Sequence, residues 1–152
     1  MHLAQVNIAR MKGPIDSPIM ADFVANLDRI NALAEKHKGF VWRMQGDDGN
    51  ATALRVFEDD ELLINLSVWK DHESLFEYVY HSAHVEIMKR RKEWFQHMKS
   101  VHMALWYVDQ EHQPDPQEAK ERLAHIRANG ESPFAFTFKN KYTPKEALTY
   151  HP

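Results

Sequence analysis

The 152 residues carry 43% hydrophobic and 27% charged side chains and a formal net charge of −3. That composition fits one domain with a buried core and offers no basic surface for wrapping nucleic acid or gripping an anionic membrane. The chain has no cysteine, which excludes disulfides, thiolate catalysis, Fe–S clusters and Cys-type zinc sites. No apolar run approaches the roughly 18 residues of a membrane-spanning helix. Met1 leads into strand-like sequence without a signal-peptide pattern, so a cytoplasmic protein is expected.

Leu3 to Met11 alternates as a first strand, with Ala4, Val6 and Ile8 on one parity and Leu3, Gln5, Asn7 and Ala9 on the other. Gly13-Pro14 breaks it. Ser17 is expected to cap a helix with Pro18 at its first position, and Phe23, Leu27, Ile30 and Ala34 recur at helical spacing before the stop at Gly39. Phe40 to Gln45 reads as a second strand and is followed by a polar loop, residues 46–50. Leu62 to Trp69 is the clearest strand, aliphatic at Leu62, Ile64, Leu66 and Val68 and carrying Asn65, Ser67 and Trp69 on the other parity.

Asp71 is expected to cap a long helix over about 72–98 whose apolar face is Phe76, Tyr80, Ala83, Ile87, Trp94 and Met98. Val101 to Asp109 reads as the last strand. The order β-α-β-β-α-β predicts an α+β, ferredoxin-like sheet over residues 1–110. Its first and third strands would lie side by side in the middle, with Asn7 near Asn65 and Ser67. Residues 111–152 form an accessory helix and arm packed on the same domain. Asp115-Pro116-Gln117-Glu118 starts the helix, Ala119, Leu123 and Ile126 are its buried face, and Phe134, Phe136 and Phe138 alternate in the arm. Residues from about 141 are expected to be a loose tail.

Two polar constellations stand out. Gln5, Asn7, Asn65 and Ser67 share one face of two central strands, where an unpaired buried amide costs roughly 1–3 kcal/mol. They form either a self-satisfied ladder, a wet dimer interface, or the polar wall of a pocket. At 100° per residue along one helix, Glu77, His84 and Arg91 fall on a line about 20° apart, flanked by Tyr80, Met88 and Phe95. A half-desolvated imidazole between a carboxylate and a guanidinium suits proton transfer or ligand binding, and equally suits a boundary salt-bridge cluster. Glu77, His81 and His84 have the residue types of a non-haem iron site. One helix rarely supplies three ligands, so no metal is assigned. Arg43 is either an exposed strand residue or a pocket cation. Walker, dinucleotide-binding and GxSxG motifs are absent.

The chain resembles an uncharacterised bacterial family, defined only as a domain of unknown function, within the dimeric α/β-barrel superfamily. The resemblance rests on Leu3-Ala4-Gln5-Val6-Asn7, Asn31-Ala32-Leu33-Ala34, Gly39-Phe40-Val41-Trp42-Arg43, Asn65-Leu66-Ser67-Val68-Trp69, His84 through Arg91 to Trp94-Phe95, Leu105-Trp106-Tyr107-Val108 and Phe134-Ala135-Phe136-Thr137-Phe138. It implies a protomer that dimerises sheet against sheet. More loosely, the chain is similar to antibiotic-biosynthesis-type monooxygenases and their haem-degrading relatives, which place an Asn on the first strand, a Trp at the end of the third and a His on the second helix. That similarity implies Asn7, Trp69 and His84 as catalytic residues. Gln5, Asn65, Ser67, Tyr80 and Arg91 are expected to contact a small aromatic or apolar molecule. The expected protein is a cofactor-independent homodimer, with haem as a minor alternative. The longer helix and the wider Trp-to-His spacing depart from that pattern.

Overall fold

The structure, a computed structural model, describes residues 1–152 apart from the side chains of residues 47, 48 and 50. Strand β1 (His2–Arg10) leads through a 3-10 turn (Pro18–Met20) into helix α1 (Ala21–Lys36) and strand β2 (Phe40–Arg43). Helix α2 (Asp47–Phe57), strand β3 (Leu62–Trp69) and three short helices follow: α3 (His72–His81), α4 (His84–Lys89) and α5 (Arg91–Trp94). Strand β4 (Met103–Val108), helix α6 (Pro116–Asn129) and helix α7 (Pro144–Thr149) complete the chain.

The four strands form one antiparallel sheet in the order β2-β3-β1-β4. The expected adjacency of the first and third strands is observed: Gln5 lies opposite Ser67, and Asn7 opposite Asn65. Strand alternation then decides what each face buries. Ala4, Val6 and Ile8 join Leu66, Val68 and Trp106 in a core under Leu123 and Ile126 of α6, with Leu54 and Phe57 of α2 packed alongside. On the opposite face, Leu3, Trp69, Leu105 and Tyr107 pack under Ile30 and Ala34 of α1 and Leu75 and Tyr78 of α3. A third cluster of Met20, Phe23 and Trp94 closes the far end of that face, with Leu63 and Ile87 against it. One chain therefore covers both sides of its own sheet. The aliphatic face lies beneath α2 and α6, and the second face, expected to be hidden by a second copy, lies beneath α1 and α3.

Several expectations are corrected. Residues 72–98 do not form one helix. The chain breaks at Ser82, which is extended (φ −122, ψ −178), and again at Arg90. The face of α3 turned to the sheet is Leu75 and Tyr78, whereas Phe76 and Tyr80 are 37% and 41% exposed. A single wheel over 72–98 merges helices of different phase. Helix α2 replaces the polar loop expected after the second strand, ending where Glu58 adopts a left-handed φ of 57. The tail is ordered as α7 by a Thr143–Glu146 capping box, and the Tyr107 hydroxyl donates to the Tyr142 carbonyl at 2.7 Å. The accessory helix behaves as expected. Asp115 accepts from Glu118 N at 2.9 Å, Ala119, Leu123 and Ile126 are buried, and the arm pairs Phe136 with Leu105 at the edge of β4.

Gly39 sits where the α1–β2 turn meets α3, its carbonyl accepting from Lys70 N at 2.8 Å. A Cβ there would overlap the Ser74 side chain, which starts α3 beside its cap Asp71. Gly39→Ala is expected to cost roughly 1–3 kcal/mol, the usual range for forced overpacking. Urea unfolding would check this, and an unchanged midpoint would contradict such tight packing.

Candidate functional site

The candidate site lies on the face of the sheet that α1, α3 and α4 cover. Its floor is a run of polar groups along the two central strands. The Gln5 amide donates to Asn65 Oδ1 and, at 2.8 Å, to Ser67 Oγ, which also accepts from Trp69 Nε1 at 2.9 Å. Gln5 and Ser67 are buried and Trp69 is almost wholly so, and each finds a partner within the run, as buried polar groups require. Asn7 and Asn65, opposite each other in the same register, are exposed. Solvent therefore reaches the middle of two central strands, between the two apolar clusters on that face.

Trp69 carries the floor toward the helices. Its indole stacks on Tyr78 at 5.0 Å and 28°, and meets the edges of Phe40 and His37 at 5.6 and 5.5 Å. Tyr78 donates its hydroxyl to the Ile30 carbonyl of α1 at 3.1 Å, and burial pushes its pKa up to about 12. Tyr78 also meets the His84 ring at 5.1 Å. Ile87, one turn beyond His84 on α4, packs against both apolar clusters, so the short helix turns this side toward the sheet.

His84 is held by its neighbours in the chain. Its Nδ1 lies 3.3 Å from the Val79 carbonyl. A carbonyl only accepts, so Nδ1 carries the proton and Nε2 keeps its lone pair. Among the described residues no group bonds Nε2, and that atom is not one of the buried nitrogens left without a partner. Burial lowers the His84 pKa from the ordinary 6.5, with the Val79 hydrogen bond opposing the shift. The imidazole is neutral at pH 7 and offers a basic nitrogen.

That shift sets a pH dependence of folding. His72 is lowered in the same direction, mainly by burial. Both imidazoles stay neutral in the fold while their unfolded counterparts take up protons below about 6.5. Stability is therefore full above that pH and falls as pH drops through it. Urea midpoints between pH 7.5 and 5.5 should decline, and His84→Gln should flatten part of the decline.

The structure thus joins Trp69, Tyr78 and His84 in one aromatic contact series. Asn7 lies on the same face but about 13 Å from Trp69 along the strands, at four residues of roughly 3.3 Å. Gln5, Ser67 and Asn65 fill the interval. Two expected residues do not belong. Tyr80 points away from the sheet, against Phe76 at 4.7 Å and Phe138 at 5.5 Å. Arg91 lies on the separate helix α5, so its alignment with His84 disappears. The expected partner Glu77 instead lies 3.4 Å from His37 Nε2. Arg43 is a strand residue paired with Glu35 at 2.7 Å. Of the Glu77–His81–His84 set, the first two lie on α3 and the third on α4, across the break at Ser82. Sequence reasoning missed Tyr78 and Ser82. A serine inside an apparent helix, free to bond its own backbone, was the available signal.

Comparison with known proteins adds a family. No curated protein matches the sequence. In fold, the chain is similar to SnoaB, a cofactor-independent oxygenase from Streptomyces nogalater. The TM-score is 0.47 and the identity 17%, over 72% of this chain and 94% of SnoaB. An Asn-to-Ala mutant of SnoaB gives a TM-score of 0.48 and 16% identity, over 75% and 98%. At such scores the likeness assigns neither residues nor an activity. The family model described as "Domain of unknown function (DUF3291)" matches residues 2–151, and the chain belongs to that family.

Proposed function

We propose that the protein is a monooxygenase-like enzyme acting on a small oxidisable aromatic molecule without a cofactor, in a site between the sheet and helices α3 and α4. The observation that carries this reading is the fixed imidazole. His84 is neutral and anchored through Nδ1, its ring meets Tyr78 on the side of α4 turned to the sheet, and among the described residues no hydrogen bond engages Nε2. A general base needs that open nitrogen and reach to the substrate proton. In this reading Nε2 takes a proton from a phenol or enol. The exposed Asn7 and Asn65 amides, farther along the strands, hold the far end of the ring system, and Trp69 and Tyr78 form the aromatic wall. Gln5 and Ser67 hold the floor rigid.

The observed strand order also supports a ferredoxin-like protomer of the dimeric α/β-barrel superfamily, with residues 1–110 as the barrel unit and 111–152 as its accessory part. A homodimer would have to use a surface other than the aliphatic sheet face, which α2 and α6 occupy. If a haem were bound, His84 Nε2 would be its ligand, with Nδ1–H oriented by a carbonyl as in metal-bound histidines. The group would supply iron redox chemistry.

The internal satisfaction of the Gln5–Ser67–Trp69 run favours a second reading, a non-catalytic binding protein in which the run is structural. Oxygen uptake with a panel of dihydroxyphenols and anthrones separates the two. Uptake by the purified protein, lost in Asn7→Ala, is expected for the enzyme. Quenching of tryptophan fluorescence by the same compounds with no uptake would establish the second reading. A Soret band on adding haem, lost in His84→Ala, would replace both.

A further inference from the structure

We propose that Ser82 is the positioning residue that turns His84 toward the sheet, by breaking the helix with its hydroxyl. The phase of the two helices carries the argument. Tyr78 of α3 faces the sheet. In an unbroken helix His84, six residues later, would lie about 240° around the axis from Tyr78, and Ile87 about 180° around, at 100° per residue. Both would point outward. In the structure His84 instead meets the Tyr78 ring and Ile87 packs into the apolar clusters. The re-phasing happens at Ser82, the extended residue between α3 and α4.

One hydroxyl supplies what the break requires. Ser82 Oγ donates to the Tyr78 carbonyl, in the last turn of α3, and accepts from His84 N, the first residue of α4, at 3.1 Å. An interrupted helix leaves carbonyls and amides without intrahelical partners, and side chains at the break satisfy them. Because the amide it caps belongs to His84, the same contact fixes the backbone from which the imidazole reaches back to Val79. Alanine at this position would favour continuing the helix.

The effect on turnover rests on the reading of His84 as a base; the effect on the ring does not. Side-chain 15N spectra of histidine, together with contacts between the His84 and Tyr78 rings, read it directly. The native protein should show His84 protonated on Nδ1 and close to Tyr78. Ser82→Ala should lose both signatures and, where uptake is detected, lower kcat about 100-fold, the scale of a misplaced catalytic group. Ser82→Thr should retain them, whereas Ser82→Val, equal in shape but without a hydroxyl, should not. The Thr/Val pair decides the matter if the alanine variant fails to fold. Native His84 signals in Ser82→Val, or lost signals in Ser82→Thr, would overturn the proposal. Displacement of His84 in a protein that shows no oxygen uptake would leave the positioning role standing and remove the enzymatic reading.

Discussion

Replacing His84 with glutamine is expected to lower oxygen uptake by roughly 100- to 10,000-fold, the usual contribution of a general base. Glutamine keeps a donor for the Val79 carbonyl and a similar volume, but its amide has no basic lone pair. The loss should therefore fall on kcat, with KM and thermal stability close to native. Because burial lowers the His84 pKa, the native rate should hold through pH 7 and fall only in acid, as Nε2 becomes protonated. A variant that keeps a native kcat would show that the imidazole serves packing alone.

Trp69→Ala should produce a large stability loss. The indole is 1% exposed, stacks on Tyr78 and donates to Ser67. Truncating a buried aromatic costs about 3–5 kcal/mol through lost transfer energy and the cavity left behind. In a chain of this length each kcal/mol shifts the melting temperature by roughly 2–4 °C, so a fall of about 6–20 °C is expected. Trp69→Phe should lose less, since it refills most of the volume and leaves Ser67 with the Gln5 contact. Calorimetry on both variants checks the ordering. A melting point within 2 or 3 °C of native for Trp69→Ala would mean that the surrounding rings close over the gap.

Much of this arrangement is legible in the residues. The alternation of β1 and β3 placed Gln5, Asn7, Asn65 and Ser67 together, because a period of two leaves no freedom in which face a side chain takes. The apolar residues of α1 and α6 were legible because each helix buries one uninterrupted stripe. The second helical region was not, because two stripes of different phase meet there. Ile87 and Trp94 fit the same wheel as Phe76 and Tyr80, and only the turn at Ser82 shows that the first pair packs toward the sheet and the second is exposed. Helix α2 begins among Asp, Gly and Asn, which read as a loop. Its register is set by Ala53, which is buried, and by Leu54 and Phe57 beneath α6. That contact between distant segments outweighs weak local propensity.

The double covering of the sheet has a thermodynamic consequence. When a partner subunit supplies the second layer of a core, association is part of folding, and the unfolding midpoint rises with protein concentration by mass action. Here α2 and α6 on one side, and α1 and α3 on the other, belong to the same chain as the strands they bury. The layers meet at an effective concentration fixed by the intervening loops rather than by the solution. The sheet core should fold as a unimolecular reaction, and a midpoint that moves on hundredfold dilution would place dimer contacts outside the two covered sheet faces.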